Sequence, residues 1–273
     1  MAFALAALTD EIDPGLEPAL QTMAQAGIRA AELRTVFGKN ILELDGAEAR
    51  LCAAALAAAG CSVSGLASPI GKSELGRPAT YEAERLERAL GLAEVLGTRR
   101  IRVFSLYPAG DRAAGPEVAS RVGAWARRAE AAGVTLLLEN EVGLWGDTPE
   151  RCAQLLQAVS SPALRFAWDP ANFLRSGVER PFEAGWHLLQ PFVACAHVKD
   201  CRADGEHTPA GRGAGQWPEL VAALAAGGGV PLVLEPHLQV AGHSTGFTGP
   251  ERFLEAVAAI RALLPEGAGF NAR

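Results

Sequence analysis

The stretch TLLLEN (residues 135–140) is an apolar run that ends in polar residues beginning with Glu139, and the chain repeats this arrangement three more times. RFAWD ends at Asp169, VACAH ends at His197, and PLVLE ends at Glu235. Each run is typical of a buried β-strand, and buried strands avoid such residues unless something compensates the charge. The four side chains therefore predict one shared polar site at the ends of four strands.

Strand-like and helix-like segments alternate along the whole chain. The predicted strands cover residues 3–8, 30–34, 62–68, 100–106, 135–140, 165–169, 193–199 and 231–235. Most are continuous apolar runs, which is typical of strands that are covered on both faces. Amphipathic helix patterns fill the intervals, and several begin near a proline and end at a glycine, as Pro14 and Gly27 do.

The number of these units predicts the fold. Eight β-then-α units in 273 residues match the size of a (β/α)₈ barrel, also called a TIM barrel. No linker or charge block divides the chain, so we expect an α/β fold with a single barrel domain over residues 1–265 and a short tail over residues 266–273. A doubly wound open sheet produces the same alternation, but no GxGxxG motif follows the first strand.

The composition narrows the class of protein. Apolar residues make up 49% of the chain, which is typical of a globular protein. The net charge of −6 disfavours binding to nucleic acid or to an anionic membrane surface. No apolar stretch reaches the roughly 18 residues of a membrane span, and the first residues resemble a strand rather than a signal peptide. Five cysteines without a CxxC pair indicate reduced thiols, so we expect a cytoplasmic protein.

The four strand-end residues form a donor set with a defined chemistry. In a barrel, the C-terminal ends of the strands face one shared mouth, so three carboxylates and one imidazole meet there. This set suits Mn²⁺, Mg²⁺ or Co²⁺, whereas Zn²⁺ usually brings more His or Cys ligands. An octahedral ion held by four protein groups keeps two positions for substrate oxygens, where it polarises a carbonyl and stabilises an enediolate. The alternative for each acid alone is a local salt bridge or a helix cap, which four equivalent placements disfavour.

Several further side chains are candidates for substrate binding at this mouth. Glu141, Lys199 and His237 each follow one of the strand-end residues by two positions, so strand alternation turns them to the same face. His207 and Arg212 lie in the loop after the seventh strand, and such loops often cover a site.

Two more candidates lie at the ends of earlier strands. Glu32 ends the second strand, where it binds a substrate hydroxyl or pairs with Arg34 or Arg102. Lys72, in SPIGK after the third strand, contacts an anionic substrate or is simply solvated.

Eight segments of the chain carry a resemblance to a known family. They are GIRAAELR (27–34), SPIGK (68–72), RIRVFS (100–105), LLLENE (136–141), FAWDPANF (166–173), HVKD (197–200), TPAGRGAGQW (208–217) and LVLEP (232–236). Through these segments the chain resembles the sugar phosphate isomerase/epimerase family, the xylose isomerase-like barrels that also include inosose dehydratase and endonuclease IV. HVKD followed by a glycine-rich turn and LVLEP is the most specific part, and the resemblance covers essentially the full chain.

The resemblance implies a fold, a metal site and a class of reaction. In this family the motif residues after strands five to eight bind a divalent metal ion, and they match Glu139, Asp169, His197 and Glu235. The resemblance also implies that Glu139 and Glu235 flank the substrate as catalytic residues and pass a proton.

Four functions compete on this basis. We expect a metal-dependent isomerase or epimerase of a sugar, keto-sugar or related polyol, with a small molecule as its partner and a homo-oligomer possible. A dehydratase, which is a lyase, would begin with the same proton removal and then expel a hydroxyl group. A DNA-repair endonuclease is disfavoured by the net charge of −6 and by only five histidines. A non-catalytic sugar-binding barrel is disfavoured because uncompensated buried carboxylates are costly.

Overall fold

The computed structural model describes residues 3–111, 113–239 and 246–265, which form a closed barrel of eight parallel strands. Each strand pairs with the next along the chain, and the first pairs with the last. In chain order, β1 to β8 are Leu5–Leu8, Ala30–Leu33, Ser62–Leu66, Arg100–Val103, Thr135–Glu139, Leu164–Trp168, Val193–Val198 and Leu232–Leu234. The predicted (β/α)₈ barrel is confirmed, and the expected tail over residues 266–273 lies outside the described residues.

A helix follows each barrel strand and covers the outside of the sheet. The eight long helices are Leu16–Gln25, Gly46–Ala58, Ala79–Leu96, Gly115–Ala131, Pro149–Val159, Pro181–Leu189, Trp217–Ala226 and Pro250–Leu263. Two short helices, Thr9–Ile12 and Pro170–Arg175, and a 3₁₀ turn, Ile41–Glu43, lie in the loops. None of the helices in the described part of the chain is long and apolar enough to cross a membrane.

Two small antiparallel hairpins lie at the mouth of the barrel, in the loops after β2 and β7, and are not predicted from the sequence. One pairs Thr35–Val36 with Lys39–Asn40, and the other pairs Asp200–Cys201 with His207–Thr208. Their strands are only two residues long, so no alternating pattern of apolar residues can develop in them. Phe37 and Gly38, with φ of 55° and 72°, form the tight turn of the first hairpin.

Strand alternation fills the lower interior of the barrel with small apolar side chains. One inward cluster contains Ala6, Leu8, Ala67 and Val233, and a second contains Leu137, Ala167 and Cys195. The outward residues of the same strands pack against the helices in the main core. Because side chains alternate along a strand, the residues two positions beyond these inward ones also face the interior, higher in the barrel. This alternation decides which side chains reach the mouth.

The loop after β3 runs unusually close to the loop after β4. Phe104 N donates to Ile70 O and Leu106 N donates to Gly71 O, both at 2.8 Å. Gly71 has a φ of +85°, and a Cβ atom at this position would lie 2.2 Å from the carbonyl oxygen of Phe104. Only glycine fits here, because the obstacle is backbone that cannot rotate away.

We expect Gly71→Ala to destabilise the fold far more than Gly38→Ala. Both residues have positive φ and both substitutions incur the resulting strain, of about 1–2 kcal/mol. A Cβ at Gly38 would meet nothing within 4 Å, so only the Gly71 variant adds a backbone clash. The clash should cost at least about 2 kcal/mol more in the free energy of unfolding, measured by chemical denaturation. Equal losses in the two variants would contradict the close approach.

Candidate metal centre

Four strands deliver their terminal polar side chains to one point above the apolar interior. We call Glu139, Asp169, His197 and Glu235 the ligand quartet; each follows an inward residue of its strand by two positions. One potential ligand atom from each of the four lies within 4.8 Å of those from the other three, and all four residues are buried. The structure therefore brings together the four residues that the sequence predicted.

Each member of the quartet directs one unsatisfied atom into this cluster. Glu139 Oε2, Asp169 Oδ2, His197 Nδ1 and Glu235 Oε2 are buried and make no hydrogen bond of normal geometry among the described residues. Buried polar atoms are nearly always hydrogen-bonded, whereas these four have only charged side chains beside them, and a shared cation would be a suitable partner for all four. Three carboxylate oxygens and one imidazole nitrogen suit a divalent cation, and the residues present fit such an ion.

Asn172 holds the far side of two of these ligands. Its side-chain amide donates to Glu139 Oε1 at 3.3 Å and to the carbonyl oxygen of Asn140 at 3.0 Å. Its backbone N–H donates to Asp169 Oδ1 at 3.0 Å, so Asp169 also caps the short helix Pro170–Arg175. Two ligand carboxylates are thus oriented by one residue, which leaves their other oxygens free to point inward.

The other two ligands are held from the far side by residues of β2 and its end. Arg34 Nη1 donates to Glu235 Oε1 at 3.1 Å. Glu32 Oε1 faces His197 Nε2 at 3.7 Å, beyond hydrogen-bond distance, so neither ring nitrogen has a hydrogen bond among the described residues. Outer groups of this kind fix the orientation and tautomer of metal ligands and are a regular part of protein metal sites.

Buried cations compensate the carboxylates of the quartet. Arg102 Nη1 lies 3.1 Å from Glu139 Oε2, and Lys199 Nζ lies 2.6 Å from Asp169 Oδ2. Both cations are almost fully buried, with side chains 6% and 4% exposed. Since burying an unpaired charge is strongly unfavourable, these pairs stabilise a cluster that could not otherwise stay ionised.

The pKa values of the quartet side chains are shifted in different directions from their usual values. Burial raises the pKa of a carboxyl group, but His197 and Arg102 outweigh burial at Glu139 and lower its pKa to about 2. Burial raises the pKa of Asp169 to about 7, with Lys199 opposing. Burial disfavours a charged imidazole, yet the charge of Glu139 raises the pKa of His197 well above its usual value. A divalent ion would displace the proton from His197, so ion binding should strengthen as the pH rises.

Arg34 also connects the quartet to the first loop of the barrel. It contacts Asp10 at 2.8 Å and Glu11 at 3.0 Å, in addition to Glu235. His237 Nδ1 lies 2.7 Å from Glu11 Oε1, so Glu11, Glu235 and His237 form a second acidic group. The guanidinium of Arg34 already provides a cation between the two glutamates, so this second group carries its own counter-charge.

The glycine-rich turn of the sequence wraps around one carboxylate. Asp200 accepts backbone hydrogen bonds from Gly211, Gly213 and Gly215 at 2.9–3.0 Å. A Cβ at Gly213 would lie 2.3 Å from Asp200 Oδ1 and 2.5 Å from the carbonyl oxygen of Cys201. The Asp of HVKD therefore shapes the loop, while the His and Lys of the same motif face the site.

Four of the seven substrate-binding candidates line the pocket next to the quartet. Lys72, Glu141, Lys199 and His237 all contribute to its wall, and Lys72 Nζ lies 2.8 Å from Glu141 Oε2. Lys72 is therefore paired rather than freely solvated, and its contact with an anionic substrate stays a prediction.

The other three candidates do not line this pocket. Glu32 lies deeper in the barrel, 2% exposed, against His197, so its placement favours a role in holding the imidazole. His207 packs against the ring of His237 at 5.4 Å, and burial lowers the pKa of His207 to about 3. Arg212 is exposed and pairs with Glu255 of the last helix, away from the quartet.

Sequence reasoning missed several residues of this region as site residues. Glu11, Arg34 and Arg102 contact the quartet or its neighbours, although the two arginines had been considered only as partners of Glu32. Arg175 lines the pocket from the end of the short helix. One signal was present, since AAELR and RIRVF place arginines beside buried strands, where an arginine needs an acidic partner.

We expect the wild-type protein to retain about one divalent ion per chain after equilibration with Mn²⁺ and removal of free ion. Glu139→Gln and His197→Ala should lose the ion, because each removes one donor of the quartet. Glu141→Gln is the control, since Glu141 lines the pocket but does not belong to the quartet. Elemental analysis gives the number of metal ions per chain in the wild type and in the three variants. A wild type that retains none of Mn²⁺, Co²⁺, Mg²⁺ or Zn²⁺ would contradict the site.

We expect Glu32→Gln to weaken binding of Mn²⁺ about 10- to 100-fold, because the carboxylate that faces His197 Nε2 is lost. Glu82→Gln removes another carboxylate that is 3% exposed, but on an outer helix, and should leave the affinity unchanged. Calorimetric titration of the metal-free proteins with Mn²⁺ gives both values. Unchanged affinity in Glu32→Gln would show that Glu32 does not act on the imidazole.

Comparisons with known proteins agree with this architecture. A profile of the family described as xylose isomerase-like TIM barrel matches residues 20–263. No curated protein sequence matches the chain. A probable 3-DHS dehydratase, AsbF of Bacillus anthracis, shares 17% identity over 96% of this chain and 99% of its own, with a TM-score of 0.75.

Two further solved structures are similar. D-psicose 3-epimerase of Clostridium cellulolyticum H10, solved with D-tagatose, shares 15% identity over 96% of this chain and 99% of its own, with a TM-score of 0.75. A xylose isomerase-like TIM barrel protein of Mycobacterium smegmatis, solved with magnesium, shares 15% identity over 97% and 98%, with a TM-score of 0.71. At these identities the likeness shows the fold. The match over residues 20–263 shows the family: the chain belongs to the xylose isomerase-like TIM barrels.

Proposed function

We propose that the protein is a divalent-metal-dependent isomerase or epimerase of a sugar, keto-sugar or related polyol. The observation that carries the proposal is the ligand quartet, in which each residue directs a buried atom that lacks a hydrogen bond to a common centre. A divalent ion held by Glu139, Asp169, His197 and Glu235 would polarise a carbonyl group and make the neighbouring C–H more acidic.

Glu139 and Glu235 are the residues that we propose move the proton. They lie on β5 and after β8, and both approach His197 Nδ1, at 3.1 Å and 3.0 Å. Their pKa values are lowered despite burial, so both are ionised at neutral pH, and as weak bases they depend on a substrate C–H that the bound ion would make more acidic. Asn172 and Arg34 fix their outer oxygens, so neither carboxylate can rotate freely. One glutamate removes a proton next to the carbonyl, and the other returns one from a different side.

The choice of ion is part of the proposal. Three oxygen donors and one nitrogen favour Mn²⁺, Mg²⁺ or Co²⁺ over Zn²⁺. The relative from Mycobacterium smegmatis, which was solved with magnesium, supports an ion of this class. We also propose a cytoplasmic location, which is supported by five cysteines that form no disulfide.

Dehydration of a keto-sugar or inosose is the second candidate, and one observation favours it. Lys199 points its ammonium group at the quartet, 2.6 Å from Asp169 Oδ2. Burial lowers the pKa of a lysine, but Asp169 and the glutamates raise that of Lys199, so it stays protonated. A protonated lysine beside the substrate could donate a proton to a departing hydroxyl group. The similar structure of AsbF, described as a probable dehydratase, is consistent with this reaction.

Proton exchange with D₂O tests the proposal and separates the two candidates. We expect the manganese-loaded protein to incorporate deuterium beside the carbonyl of at least one substrate in a panel of ketoses and inososes, followed by NMR. An epimer or isomer as the product supports the first candidate, and an unsaturated product that has lost water supports the second. Glu139→Gln and Glu235→Gln, with Mn²⁺ raised until the site is filled, should be slower by about 100-fold or more.

Glu255→Gln is the control for these variants, because Glu255 is exposed and pairs with Arg212 on the last helix. Its rate should equal that of the wild type. A fully loaded wild type that exchanges no C–H proton on any ketose or inosose of the panel would overturn the proposed chemistry.

A further inference from the structure

The pocket beside the quartet is rich in positive charge. Ten residues line it, and five of them are Arg or Lys. Four of the five pair with a carboxylate within 3.1 Å: Arg34 with Asp10, Lys72 with Glu141, Arg102 with Glu139 and Lys199 with Asp169. These four cations are needed to compensate acids of the protein itself, so none of them is left over for a ligand.

Arg175 is different from the other four. Arg175 lines the same pocket, yet its guanidinium forms no hydrogen bond or ion pair with any residue in the described part of the chain. The residue is half-buried, so it does not have the full hydration of a surface arginine. A cation near a helix C-terminus is favourable in itself, but that effect does not require the side chain to face the pocket.

The short helix Pro170–Arg175 explains why Arg175 faces the site. Asp169 caps this helix, and Asn172 and Arg175 follow at intervals of three residues, so each of the three neighbours the next along the helix surface. The first is a member of the quartet, and the second orients Glu139 and Asp169. The same helix face therefore carries, in order, a proposed metal ligand, an orienting amide and an unpaired guanidinium.

The three carboxylates that line the pocket with Arg175 are already paired with other cations, and none of them forms an ion pair with Arg175. After burial, the charges of Lys199, His237 and Arg175 are what lower the pKa of the neighbouring His207 to about 3. His207 is therefore neutral and adds no charge of its own. A half-buried guanidinium without a partner, beside carboxylates that are already paired, is able to bind an anionic group with charge-assisted, bidentate hydrogen bonds.

We infer that the substrate carries an anionic group, a carboxylate or a phosphate, and that Arg175 binds it. The inference rests on the proposed function, because it places the carbonyl end of the same substrate at the quartet. The anionic end then lies toward the end of the helix Pro170–Arg175, one to two turns away from Asp169. A neutral sugar cannot form this ion pair and would bind more weakly than an anionic one. Arg175 would therefore determine which substrates bind.

A matched set of three ketoses tests the inference. D-fructose, D-fructuronate and D-fructose 6-phosphate share a ketose chain and differ at one end, which is a hydroxymethyl, a carboxylate or a phosphate group. Calorimetry on the manganese-loaded wild type should give at least one anion a Kd about 10-fold or more below that of D-fructose. Whichever anion binds more tightly identifies the group as a carboxylate or a phosphate.

Variants of Arg175 then assign the effect to this residue. Arg175→Gln should bring the anions to within about 2-fold of D-fructose, while Arg175→Lys should keep part of the preference because the charge remains. Arg180→Gln is the matched control, since Arg180 lies five residues after Arg175, is exposed and pairs with Glu183. It should keep the preference of the wild type.

Two results would overturn the inference. Either the wild type binds neither anion more tightly than D-fructose, or the preference persists in Arg175→Gln. Failure of the proposed function would look different, because the wild type would then retain no manganese or would exchange no C–H proton while still distinguishing anions from D-fructose. The two failures are therefore separable in the same preparations.

Discussion

Compensation of buried charge at the mouth of the barrel is the constraint on which the rest of the structure depends. The ligand quartet brings three carboxylates out of water, and such groups remain ionised only beside fixed cations. Those cations are Arg34, Arg102 and Lys199, which come from β2, β4 and β7 or their ends. Opposite charges meet only when strands that are distant along the chain lie side by side. The pair of Arg34 with Glu235 in particular exists only in the closed barrel, because it joins the end of β2 to the end of β8.

The sequence predicted the framework of this arrangement because its signals are local. Each barrel strand is an apolar run, and each member of the quartet breaks its run at the end, as Glu139 does after LLL. Alternation by two residues then turned Glu141, Lys199 and His237 toward the mouth, and all three line the pocket. The roles of these residues remain predictions, whereas the barrel itself is confirmed.

The parts that the sequence did not reveal depend on contacts between distant residues. Arg34 meets Glu235 across 201 positions, and Glu11 meets Thr248 across 237. No window of sequence contains both partners, so charge alone could not distinguish these residues from solvated ones. For Glu32 the strand end was recognised from the sequence, but its depth behind His197 depends on the size of the barrel, which the local sequence does not contain.

The glycine-rich turn after β7 has a consequence for how such barrels diversify. Asp200 accepts hydrogen bonds from the N–H groups of Gly211, Gly213 and Gly215, so its carboxylate holds the two ends of the segment between residues 200 and 211 together. Residues 202–206 between them form an exposed hairpin tip that bears no part of this anchor. Insertions or exchanges at the tip would leave the strand end, and with it His197 and Lys199, undisturbed. The hydrogen bonds to Asp200 thus separate a loop tip whose sequence is free to vary from a strand end whose position is fixed. New surfaces at the rim of the barrel can therefore arise without moving the residues of the proposed metal site.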